Sequence, residues 1–378
     1  MTVSRARHGA RPRLPRSRRL DLLLGSVLLL AAAAFAATAL TASGGAPGLP
    51  TKTAFASASS GNYAVVARTD GNRDAIYVAP ADGGPPLQVA TVAHLDGYAS
   101  SGAVSPDRRH LALIVADAGS VAHPGASLIL LDLDSGALTR LAVAVDPGQD
   151  PVWTPDGRRV VVTRSTPVSG SAVAVAFASV AVDLSGESSA GSVHRVLGAY
   201  AVGFDATGRL ITVAIDAAGS IVRADGADLL RISPYVTRDW RLSPDGTQLG
   251  FIEADLAAGL KYLGRVVSLD GAQSDTSAVQ SSNGAEQLGV AWAPGASRPA
   301  FGVEPGPSSQ GDSSQRAVLA APGFDIPLAY SRDGEALAVE HGTGSGFSQP
   351  GQLGLQVVAR GTRLSLNDFS RFYGWAAR

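Results

Sequence analysis

Five histidines follow residue 60: His94, His110, His123, His194 and His341. Imidazoles two or four residues apart could share a metal ion from one strand or one helical turn. None of the five is spaced that way. A metal or acid–base centre would have to be gathered from distant segments, so ordinary surface and core roles fit these residues better. Cysteine is absent, which excludes disulfides, a thiolate nucleophile and Cys-ligated zinc or iron–sulfur clusters. No Gly-x-Ser-x-Gly elbow occurs, which argues against a serine peptidase built on a nucleophile elbow. Asp70-Gly71-Asn72-Arg73-Asp74 opens like a calcium loop. Ala75 and Ala81 then stand where such a loop needs Gly and Glu, so a hairpin turn is the better reading. Gly342–Gly346 is glycine-rich but lacks the Lys-Ser/Thr of a phosphate loop and reads as a connection. No cofactor is expected.

Charge divides the 378 residues unevenly. Residues 1–21 carry seven arginines against Asp21, a net of +6, while the rest carries 24 basic and 31 acidic residues, a net of −7. Residues 22–40 (LLLGSVLLLAAAAFAATAL) hold no charge. At ~1.5 Å per residue such a helix just crosses a ~30 Å hydrocarbon core. The basic head then stays cytoplasmic and the remainder lies outside. The expectation is a basic head (1–21), a transmembrane signal-anchor (22–40), a Gly/Ser/Pro-rich tether (41–60) and an exported domain (61–378) on a single-pass cell-membrane protein. The alternative is a cleaved signal peptide and a secreted product, since Ala37-Thr38-Ala39 and Thr41-Ala42-Ser43 are small-x-small sites. The arginines belong to topology rather than to nucleic-acid binding, because the acidic remainder repels phosphate. Lys52 and Lys261 are the only lysines among 31 basic residues, a bias that points to a GC-rich bacterial genome.

The exported part repeats. An apolar or aromatic residue precedes a Ser-Pro-Asp-Gly-like turn, and a short apolar strand follows. Copies stand at Ser105-Pro106-Asp107, Thr154-Pro155-Asp156-Gly157, Asp205-Ala206-Thr207-Gly208, Ser243-Pro244-Asp245-Gly246, Ala293-Pro294-Gly295 and Ser331-Arg332-Asp333-Gly334. Successive copies lie 49, 51, 38, 50 and 38 residues apart, the period of a four-stranded propeller blade. Ser or Thr first, Pro next and Gly last is the residue order of a type I turn. Eight Asp-Gly pairs add further hairpin signals. Trp153, Trp240, Trp292 and Trp375 fall in or beside the strands before the turns. They read as rings packed between sheets, each indole N–H seeking a partner.

With Thr69-to-Gly84 (TDGNRDAIYVAPADGG), the phrase resembles the TolB-type, WD-repeat-like propeller repeat over residues 60–378. A partial likeness extends to the propeller part of actinobacterial LpqB-like lipoproteins, without their lipobox cysteine. The resemblance implies an all-β propeller of four-stranded antiparallel blades. It also implies an envelope-associated module that binds a protein or another envelope component. The alternative is a propeller enzyme (lyase, lactonase or glycan-acting) with its site at the central channel. Six units carry the phrase, and the closing residues Phe372–Arg378 resemble a strand that precedes one. Inserted into the incomplete blade of residues 61–92, that strand closes a ring of seven. Six and eight are the other closures, because residues 165–200 and 273–287 read as irregular.

Overall fold

In the computed structural model the described residues are 54–233, 236–255, 261–270, 277–278, 286–303, 324–342 and 351–378. Each turn phrase becomes the hairpin between the first two strands of a sheet. Ser243 shows how. Its carbonyl accepts from the Gly246 amide at 2.9 Å and closes the turn. Its hydroxyl donates to Asp245 at 2.6 Å and accepts from the Gln248 amide at 2.9 Å. Asp245 in turn accepts from the Thr247 amide at 3.1 Å. Ser105, Thr154 and Ser331 repeat this pattern with Asp107, Asp156 and Asp333. The Asp205 copy reverses it: Asp205 occupies the serine position and accepts from the Thr207 hydroxyl at 2.8 Å. The two chemistries are interchangeable because each supplies one carboxylate and one hydroxyl two residues apart.

Six four-stranded antiparallel blades result. The second runs Ser101–Val104, His110–Ser120, His123–Asp132 and Leu138–Val145. The third runs Val152–Trp153, Arg159–Ser169, Ala172–Ala181 and Glu187–Val196. The fourth runs Gly198–Phe204, Leu210–Asp216, Gly219–Ala224 and Ala227–Ser233. The fifth runs Val236–Leu242, Gln248–Asp255, Lys261–Ser268 and Ser277–Ala278. Gln287–Ala291 and Ala300–Val303 make a two-stranded sheet, and the sixth blade follows with Phe324–Tyr330, Ala336–Gly342, Gln352–Val357 and Thr362–Ser365. The expected count of seven is thereby corrected to six four-stranded blades among the described residues. The phrase marks only a first hairpin, and the copy at Pro294-Gly295 is joined by no further described strand. Residues 165–196, read as irregular, are regular strands. Register shifts between Val173 and Val175 and between Ala176 and Ala178 broke their alternation.

The first blade closes the ring. Arg371–Ala377 pairs antiparallel with Asn62–Asp70, which pairs with Arg73–Pro80 and then Leu87–Ala93. Gly61 and Arg378 exchange backbone hydrogen bonds at 2.9 and 3.2 Å. The apolar core lies between sheets rather than at one centre. One cluster joins Ala112, Leu128 and Ile114 of the second blade to Trp153, Val160 and Val180 of the third. Another joins Ala338 and Leu355 of the sixth to Ala64 and Trp375 of the first. The stretch read as tether reaches into this packing. Phe55 is buried with Tyr63 and Val65, and the Arg378 guanidinium donates to its carbonyl at 3.0 Å. Residues 22–40 lie outside the described residues, among which no helix is long and apolar enough to cross a membrane.

Neighbouring turns touch. A Cβ on Gly246 would stand 2.5 Å from the Ala206 amide nitrogen, at a φ of +70°. Gly208, at +83°, has nothing within 4 Å. Gly208→Ala should therefore lose about 1–2 kcal/mol from left-handed backbone strain alone. Gly246→Ala should lose about 1–3 kcal/mol more through the forced shift of the neighbouring turn. Urea unfolding of the two variants measures the difference, and equal losses would mean the turns do not press on one another.

Candidate functional site

Four buried polar side chains and the half-buried Thr69 meet where the ring closes. Asp74 follows the Gly71–Asn72 turn and stands in register with Thr69, whose hydroxyl donates to it at 2.6 Å. Ser100, at the entry to the second blade, gives Asp74 its backbone amide at 2.7 Å and its hydroxyl at 2.6 Å. That uses the one serine proton, so the Tyr373 phenol on the closing strand donates to Ser100 Oγ at 2.8 Å. His94 donates from Nδ1 to the Leu95 carbonyl at 2.8 Å, and its Nε2 lies 3.4 Å from Asp74 Oδ1. A ring with a carbonyl at one nitrogen and a carboxylate at the other suits the imidazolium form. Asp74, His94, Ser100 and Tyr373 are all buried.

The electrostatics agree with this geometry. Burial alone would raise the Asp74 carboxyl, but the adjacent His94 imidazole and hydrogen bonds from Ser100 and Thr69 outweigh it and hold the group at about 2. Burial would lower His94, yet Asp74 holds it above its ordinary value. Burial and then the Asp74 charge raise the Tyr373 phenol. A hydrolase nucleophile needs its proton directed to a base that titrates near neutrality. Ser100 directs its proton to a carboxylate at about 2, not to His94. The cluster joins the closing strand to the first and second blades.

A second buried aspartate organises the sixth blade. Asp325 accepts from His341 Nδ1 at 2.7 Å, from Gln356 Nε2, and from Arg363 at 3.2 Å. Among the described residues no group of three or more His, Cys, Asp and Glu side chains is placed to hold a metal ion. His110 lies beside Asp107 and Asp132 at 3.2 and 3.7 Å, and His94 and His341 serve buried aspartates. The turn residues Ser105, Pro106, Asp107, Thr154, Pro155, Asp156, Gly157, Ser243, Pro244, Asp245, Gly246, Ser331, Asp333 and Gly334 stay in their own hairpins rather than forming one centre. Neighbouring turns nevertheless meet pairwise, with Gly157 by Pro106 and Gly334 by Pro294.

The tryptophans join the innermost strands. Trp153 Nε1 donates to the Ala103 carbonyl at 2.8 Å, Trp292 to Arg241 at 3.1 Å and Trp375 to Ala329 at 3.1 Å. Each acceptor lies two residues before the first residue of the preceding unit's turn. Trp240 sits two places earlier than Trp153 and Trp292 relative to its turn. Its indole N–H has no partner among the described residues, and it stacks on Phe251 at 4.6 Å.

Blades joined through their inner strands, with the first and last strands of the described residues in one sheet, define a β-propeller, the fold that the TolB-type repeat implied. Solved structures similar to the chain include a puromycin hydrolase, 16% identical with a TM-score of 0.52, covering 87% of this chain and 54% of that one. They also include TolB from Acinetobacter baumannii, 16% identical with a TM-score of 0.48, covering 78% of this chain and 65% of that one. A putative TolB from Agrobacterium tumefaciens is 13% identical with a TM-score of 0.44, covering 84% of this chain and 100% of that one. The chain thus spans about half of the hydrolase and somewhat under two thirds of the Acinetobacter TolB. No protein-family model and no curated protein matches it.

Proposed function

We propose that the chain is a membrane-tethered, extracytoplasmic propeller of the bacterial envelope that binds a protein or another envelope component and carries out no catalysis. The observation that carries this reading is the use made of its best chemical groups. Asp74, His94, Ser100 and Tyr373 are engaged with one another inside the ring, and Asp325 and His341 inside the sixth blade. What the ring offers a partner is its loops and the half-buried inner strands, such as Ser101–Val104. Crosslinking and pull-down from native membranes tests the reading. Recovery of an envelope component is expected; turnover of a small substrate with no such component recovered would overturn it. For the topology, protease added to intact spheroplasts should degrade residues 61–378 and spare the basic head. A protected propeller would reverse that assignment.

A further inference from the structure

The repeat supplies its own internal comparison at the inner end of each unit. The residue two places before the turn is Ala103, Val152, Gly203, Ala291 or Ala329, and its counterpart in the closing strand is Gly374. All six are Gly, Ala or Val, and at the two glycines the next unit's inner strand leaves no room for a larger residue. A Cβ on Gly203 would meet the Leu242 side chain at 2.7 Å, and one on Gly374 would meet Val104 at 3.1 Å. The fifth blade places Arg241 at this position, and it alone of the seven is exposed. Trp292 occupies the neighbouring space and bonds the Arg241 carbonyl, a backbone contact that any residue would provide. The guanidinium itself makes one hydrogen bond, NH1 to the Trp240 carbonyl at 3.0 Å, and no carboxylate among the described residues pairs with it. Arg238, three residues earlier on the same strand, is exposed but already paired with Asp239 at 3.2 Å.

A residue that departs from six equivalents, stands exposed and leaves most of its donors free is not one the ring needs for its closure. An arginine presents five N–H donors in a fork that matches carboxylate and phosphate oxygens. We infer that Arg241 reads an anionic group, carboxylate or phosphate, on whatever ligand approaches the inner, turn-bearing end of the ring. The inference rests on the binding function proposed above and assigns that function its first residue.

Hexaglutamate and inorganic pyrophosphate serve as probes, with hexaglutamine as the uncharged control, by isothermal titration to the full chain. Binding of one or both anions, weakened by added salt, is expected. Arg241→Ala restores the small residue of the other units. It should keep the wild-type melting temperature and lose about tenfold or more in anion affinity. Arg332→Ala, at an exposed turn position, should bind as wild type. Hexaglutamate alone would identify the group as carboxylate, and pyrophosphate alone as phosphate. Failure of the wild type to bind either anion, undiminished binding by Arg241→Ala, or an Arg241→Ala protein of lowered stability would each overturn the inference. Native partners recovered equally by wild type and Arg241→Ala would leave the binding function standing and remove this residue from it.

Discussion

Trp375→Ala should destabilise the propeller by about 3–5 kcal/mol, and removal of residues 371–378 should abolish cooperative unfolding altogether. The first figure is that of deleting a large buried aromatic from a core. Trp375 is 7% exposed, packs with Ala64, Leu355 and Phe369, and donates to the Ala329 carbonyl across the junction of the last and first blades. The second follows from topology. Without the closing strand, Asn62–Asp70 loses one of its two ladders and becomes an open edge, and Tyr373 leaves the polar cluster. Circular dichroism during urea titration measures both. A conservative pair refines the first expectation. Trp292→Phe removes the indole bond to the Arg241 carbonyl and should lose about 0.5–1.5 kcal/mol, whereas Trp240→Phe breaks no hydrogen bond and should lose less. Equal losses would remove the indole bond from the account of blade joining.

Asp74→Ala should have a comparable effect, about 3–5 kcal/mol, because it leaves His94 buried beside no counter-charge and strands the Ser100 amide. The wild-type pH profile carries the same cluster's signature. Asp74 is held at about 2, below its ordinary value, so its contribution is complete above ~4 and disappears as pH falls toward 2. His94 is held above its ordinary value, so its contribution is complete below ~6.5 and disappears as pH rises through the folded value. Between those limits stability should be flat, and His94→Gln should erase the alkaline decline alone. Urea midpoints taken from pH 2.5 to 9 test this. A wild-type midpoint that does not fall on the alkaline side would show that His94 is neutral in the folded protein.

The fold was largely readable from residues that act locally. Ser, Pro, Asp and Gly within four positions determine a turn whatever lies around them, so Ser105, Thr154, Ser243 and Ser331 marked their hairpins directly. Even Asp205-Ala206-Thr207-Gly208 marked one, because exchanging carboxylate and hydroxyl preserves the same bonds. The closing strand was readable because Phe372–Arg378 repeats the pattern of a strand before a turn. The polar cluster was not. Asp74 takes its meaning from His94, Ser100 and Tyr373, partners up to 299 residues away, and nothing near Asp74 separates it from an ordinary hairpin aspartate. Phe55 was hidden for the opposite reason: its neighbours, Ala54-Phe55-Ala56-Ser57, have the composition of a tether, and only the packed ring shows that the aromatic is buried. The number of blades fell between these cases, since a turn phrase guarantees two strands and not four.

The pairing of the first and last strands of the ring in one sheet also determines how the ring bears force. A pull transmitted from the N-terminal side arrives at Asn62–Asp70, an interior strand antiparallel to both Arg371–Ala377 and Arg73–Pro80. Drawing that strand out along its own axis loads two hydrogen-bonded ladders in shear at once, rather than unzipping one from its end. Before either ladder feels the load, it must dislodge Phe55 and break the Arg378 bond to the Phe55 carbonyl. A load applied on the N-terminal side would therefore meet the part of the ring that is hardest to peel, and would test the whole closure instead of a single blade.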